Sequence, residues 1–89
     1  MQNVIERIDG AEAWMVAYIA DLLDIPPGKV DADKAFDHFG LDSTATVAFT
    51  SDLGRWLGIK LDSRIMIEND SIRAVSQHLR GLQGKAALA

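Results

Sequence analysis

The sequence of 89 residues has no cysteine, one tyrosine and two prolines, and those two are adjacent, Pro26 and Pro27. The first absence excludes disulfides, thiolate metal sites and a cysteine nucleophile together, and it suits a reducing compartment. No apolar run approaches the roughly 18 residues that a membrane-spanning helix needs, and no basic segment followed by an apolar one opens the chain. A cytoplasmic setting without membrane attachment is therefore expected. Basic residues are scarce as well: nine Lys and Arg stand against thirteen Asp and Glu, for a formal charge of −4, and no two of the nine are neighbours. That arrangement disfavours nucleic acids and other polyanions. Its field favours encounter with proteins whose surfaces are rich in Lys and Arg.

Apolar residues are 48% of the chain and charged residues 25%, the balance of an ordinary folded protein. A chain this short buries only about 60% of its unfolded surface and supports one core, so residues 1–89 read as a single domain without a large enclosed active site. Ile5, Ile8, Met15, Ile19, Leu22 and Leu23, with Glu12 as the one polar member, step by three and four along a helical face. Asp9 and Glu12 read as a capping pair that starts the ordered helix near Gly10, and Ile25-Pro26-Pro27-Gly28 ends it. From Lys29 to Asp42 no period is sustained. Asp31, Asp33, Asp37 and Gly40 punctuate a long loop there, anchored by Val30, Phe36, Phe39 and Leu41. Helical period resumes from Ser43 to Leu57, with Phe49, Leu53, Trp56 and Leu57 on one stripe, Thr44, Ala48, Ser51 and Arg55 roughly opposite, and Gly58 as the stop. Ser63 to Asn69 supports a short helix or turn, and Asp70 or Ser71 caps a last helix through Ile72, Val75 and Leu79. Residues 83–89 read as a frayed end or linker, which leaves an ordered core at about 9–82. The fold class expected is all-α, a small four-helix bundle of three longer helices and one short one.

Ser43 follows Asp42 at the start of the third segment. It is either an N-cap itself or, if Asp42 caps, a first-turn hydroxyl pointing out of the helix mouth. Backbone N–H groups without intrahelical partners and the positive end of the helix dipole make that mouth a favourable place for a phosphate ester.

"FGLDS", a helix opening at that serine and a helix ending "WLG" resemble the acyl carrier proteins, especially those of polyketide synthases. The resemblance extends to the amphipathic first helix ending "IADLLDIPPGKVD", to the acidic loop "DADKAFDHFGLDS", and to a short third helix before a longer fourth. It implies that Ser43 carries phosphopantetheine, added from coenzyme A by a phosphopantetheinyl transferase, and that the arm's thiol holds an acyl chain as a thioester. Asp42 matches the acidic neighbour that serves the encounter with the transferase. The implied protein is a non-catalytic, monomeric carrier in polyketide or fatty-acyl biosynthesis. Its implied partners are a ketosynthase, an acyltransferase or a fatty acyl-adenylate ligase, met through Thr44, Val47, Ala48 and Ser51. The sequence departs from the family where Thr44 stands for the usual leucine, and where Ala48 and Gly54 stand for frequent glutamates. Docking on this face then depends on shape and small apolar contacts more than on ion pairs. A cargo opening near the serine would be lined by Phe39, Leu41, Val47, Ile67, Ile65 and Val75, and such a small bundle should cover a long acyl chain only in part.

A helical docking module without cofactor, and a peptidyl carrier with aminoacyl cargo, are the alternatives. A hydrolase built on Ser43, His38 and His78 is disfavoured, since "GLDST" lacks the trailing glycine of a nucleophile elbow. Asp31, Asp33 and Asp42 fail as a calcium loop because Phe36 occupies the position where the turn needs glycine, so no metal site is expected.

Overall fold

The computed structural model describes the backbone of residues 4–88 and the side chains of residues 6–81; the expectation for the Ile5 side chain lies outside them. The helices are α1 (Val4–Asp9), α2 (Ala11–Leu23), α3 (Ser43–Leu57), α4 (Arg64–Glu68) and α5 (Ile72–Leu88), with single 3-10 turns at Pro27–Lys29 and Phe36–Phe39. Among the described residues the only extended pairing is one bridge between Ala35 and Ser71. This is the expected small helical bundle, with its first helix broken in two.

The break lies at Gly10, whose N–H donates back to the carbonyls of Glu6 and Arg7, and no side chain caps the start of α2. Asp9 and Glu12 therefore do not form the expected cap. Ile8 is buried, and the Arg7 guanidinium donates to the carbonyl of Trp56 in the last turn of α3, where the helix dipole favours a cation. The packed core thus begins before residue 9. At the other end, α5 continues through Gly81 and Gly84 to Leu88, past the expected limit near 82. A glycine inside a helix costs about 1 kcal/mol against alanine but ends the helix only where it turns to positive φ. Among the described glycines only Gly40 and Gly58 do so.

Met15, Ile19, Phe49, Leu53, Leu57, Ile72, Val75 and Leu79 are the largest fully buried side chains, contributed by α2, α3 and α5. The loop anchors Val30, Phe36, Phe39 and Leu41 are all buried, so the long segment before α3 is pinned to the bundle along its length. The last turn of α2 instead buries Ala20 and leaves Leu22 and Leu23 outside. Sequence spacing marks a stripe without showing where the elements that cover it end.

An aromatic group joins α2 to α3. Trp14 stacks on Trp56 at 5.5 Å, and Phe49 meets Trp14, Tyr18 and Phe36 at 6.1, 4.9 and 5.6 Å. The Tyr18 hydroxyl donates to Asp52 Oδ2 at 2.9 Å. Burial first, then this hydrogen bond and the negative charge of Asp52, push the Tyr18 ionisation above its ordinary value of 10.0. Because the fold favours the neutral phenol, this contribution to stability is fully present below about pH 10 and is lost as pH rises through the raised folded value. Tyr18 is the one tyrosine of the chain, so tyrosinate absorbance reads it alone. Its midpoint should lie above 10 in the folded protein, and a midpoint at or below 10 would contradict the contact.

Candidate functional site

The segment that presents Ser43 is built by local rules. Phe36 and Phe39 bury themselves from one 3-10 turn, Gly40 reverses the chain at φ +76, and Leu41 inserts into the core. Asp42 then enters in extended geometry, its Oδ1 accepting from the Ala45 N–H at 2.8 Å and its carbonyl from Thr46 at 2.9 Å. Asp42 is thus the N-cap, and Ser43 is the first residue of α3. Its side chain is exposed and makes no hydrogen bond to a described residue. The cap leaves the amides of Ser43 and Thr44 at the helix mouth unclaimed.

Thr44, Val47, Ala48 and Ser51 are exposed on α3 beyond Ser43, away from the buried Phe49, Leu53 and Leu57. The expected face is therefore brought together on one helix. Val47 is 56% exposed, and Ile67 on α4 is 76% exposed. Phe39, Leu41, Ile65 and Val75 are buried, and a separate cleft of about 230 Å³ touches Phe36, Thr46, Met66 and Ile67.

Gly54, which stands where the resembled family often has glutamate, is buried against the segment after α3. A Cβ built there would lie 2.8 Å from the Ile59 carbonyl oxygen and 3.4 Å from the Leu61 nitrogen. The missing side chain lets residues 59–61 lie directly on the helix backbone. The signal in the sequence was a glycine at mid-helix, a costly choice that asks for a packing reason. The same segment closes a groove of about 660 Å³ along α3, with Arg55 and Lys60 at its far end. Neither cation was read as part of a site from the sequence.

The loop acids have local duties. Asp31 Oδ1 accepts from the Asp33 N–H, Asp33 pairs with Arg73 at 2.8 Å, and Arg73 also reaches Glu12 at 3.4 Å. His38 and His78 are exposed, His38 resting its ring edge-on against Phe39.

The phosphopantetheine attachment site family matches this chain over residues 13–79. The chain belongs to that family. It is 38% identical over 71 residues to the acyl carrier protein TtuC of Teredinibacter turnerae, covering 80% of this chain and 82% of that one. It is also 34% identical over 88 residues to the erythronolide synthase EryA2 of Saccharopolyspora erythraea, of which it spans only 2%. The fold matches the solution structure of Asl1650, an acyl carrier protein from Anabaena with a variant phosphopantetheinylation-site sequence, at a TM-score of 0.78 and 24% identity over 84% of this chain and 85% of that one. It likewise matches a free-standing peptidyl carrier protein from Acinetobacter baumannii at 0.74 and 20%, over 91% and 96%. Family members attach phosphopantetheine covalently to a serine and act as non-catalytic carriers, working with synthase and transferase enzymes. No helix among the described residues is long and apolar enough to cross a membrane.

Proposed function

We propose that Ser43 is the attachment point, and that the domain holds acyl intermediates as thioesters on its phosphopantetheine arm for a polyketide or fatty-acyl biosynthetic system. The observation that carries this reading is the division of labour at the helix mouth. Asp42 caps α3, which leaves the Ser43 hydroxyl free beside unclaimed amides. The other serines are less suited: Ser76 is buried, Ser71 accepts from the Ala74 N–H to cap α5, Ser51 lies in the middle of α3, and Ser63 is half-buried. In loading, Ser43 Oγ bonds to the phosphorus next to the pantetheine unit of coenzyme A. The phosphoanhydride bond breaks, adenosine 3′,5′-bisphosphate leaves, and the hydroxyl proton passes to a base on the transferase. The unclaimed amides and the helix dipole favour the phosphodiester that results.

The partners of this reading are a phosphopantetheinyl transferase and, in the cytoplasm, a ketosynthase, an acyltransferase or a fatty acyl-adenylate ligase. They meet a monomeric carrier at Thr44, Val47, Ala48 and Ser51. Incubation with coenzyme A and a broad-specificity transferase, followed by intact mass, should show one phosphopantetheine per chain. An unchanged mass in folded protein would instead favour a docking module without cofactor. Ala48→Glu, an exposed change off the buried stripe, should slow acyl transfer with such partners while shifting stability by no more than about 0.5 kcal/mol. Steady-state transfer rates beside a melting curve check this, and unaltered transfer with every partner would place docking elsewhere.

A further inference from the structure

The groove beside α3 begins at Val47, one helical turn beyond Ser43, and ends at Gly58 and Lys60. Val47, the hydroxyls of Thr50 and Ser51 and the bare backbone of Gly54 form one wall, and Ile59 and Leu61 form the other. Arg55 and Lys60 stand at the far end. The Arg55 side chain is 77% exposed and meets Asp52 Oδ1 at only 3.8 Å, while Asp52 Oδ2 is already engaged by Tyr18. Lys60 makes no ion pair with a described residue. An acidic chain of net charge −4 thus places two poorly compensated cations on the lining of one groove that begins a helical turn beyond its candidate attachment serine.

We infer that this groove holds an acyl cargo that ends in a carboxylate, with the carboxylate at Arg55 and Lys60, the short carbon chain against Ile59 and Leu61, and the phosphopantetheine arm passing Val47. The inference rests on Ser43 as the attachment point. Arg55 lies twelve residues on from Ser43, which at about 1.5 Å per residue is about 18 Å along α3. An extended phosphopantetheine arm with a short acyl group covers that span. A cargo ending in methyl gains nothing from two cations, whereas a carboxylate meets charge-assisted donors there. The walls also explain why this cargo need not enter the core. The groove lies outside the packed side chains of α2, α3 and α5, so no packing has to be parted to admit it.

The test compares protein loaded from succinyl-coenzyme A with protein loaded from butyryl-coenzyme A, two four-carbon acyl groups that differ at the far end in carboxylate against methyl. Intact mass first verifies that each acyl arm is on the chain. Backbone amide shifts should then differ between the two forms at Gly54, Gly58, Ile59, Lys60 and Leu61. That difference should vanish in the Arg55→Gln, Lys60→Gln double variant, whose two positions are exposed. Identical amide shifts for the succinyl and butyryl forms would overturn the groove assignment, as would a difference that survives in the double variant. A mass that never rises would overturn the Ser43 reading, and the groove assignment with it.

Discussion

Ser43→Ala is expected to abolish phosphopantetheine addition while leaving the fold in place. The hydroxyl is exposed and makes no hydrogen bond to a described residue, and the cap of α3 belongs to Asp42, which accepts from the Ala45 N–H. The substitution therefore removes no buried contact and no cap, and alanine is a good helix former in the first turn. Stability should stay within about 0.5 kcal/mol of the parent. Intact mass after transferase treatment, beside a denaturation curve, separates the two halves of this prediction. Addition that persists in the variant would move the attachment point to another residue, and a large loss of stability would mean that the hydroxyl has a structural partner.

Phe49→Ala should produce the opposite pattern, a large loss of stability with the attachment chemistry intact in whatever fraction stays folded. Phe49 is fully buried at the centre of the aromatic group, with Trp14, Tyr18 and Phe36 around it. Truncating a buried phenylalanine removes its transfer free energy and leaves a cavity, together about 3–5 kcal/mol. Small domains have only about 5–15 kcal/mol to lose, so the variant should be partly unfolded or close to it. Denaturant unfolding followed by the fluorescence of Trp14 and Trp56, which stack beside this site, measures the shift. A loss below about 1 kcal/mol would show that Phe49 does not hold α2 to α3 as the contacts indicate.

The two variants probe two kinds of residue, and these differ in how far the sequence revealed them. Asp42, Ser43, Gly40 and Gly58 are governed by rules that act within a few residues: a carboxylate before a helical run reaches the free amides, and a glycine takes positive φ where the chain must turn. These features were legible, as were the buried stripe of α3 and the four anchors of the long loop. The roles of Gly10, Gly54, Leu22 and Leu23 depend on what lies against them from distant parts of the chain. Gly10 breaks the first helix so that Ile8 can be buried and Arg7 can reach Trp56, a contact spanning 49 residues. Gly54 is small because residues 59–61 rest on it, which no periodicity reports. In the sequence Arg55 is only one member of the outward side of α3 and Lys60 an isolated charge, and they acquire meaning only when that segment brings both to the lining of one groove. The extension of α5 past its glycines was hidden for a related reason, since an interior glycine weakens a helix without fixing where it stops.

The arm should be carried by Ser43 and by no other hydroxyl. Fragmentation of the intact loaded protein in the mass spectrometer locates it residue by residue. N-terminal fragments ending at Asp42 should have the unmodified mass, and those ending at Ser43 or beyond should carry one phosphopantetheine. An adduct that first appears at Thr44, Ser51 or any later residue would place the arm on another side chain.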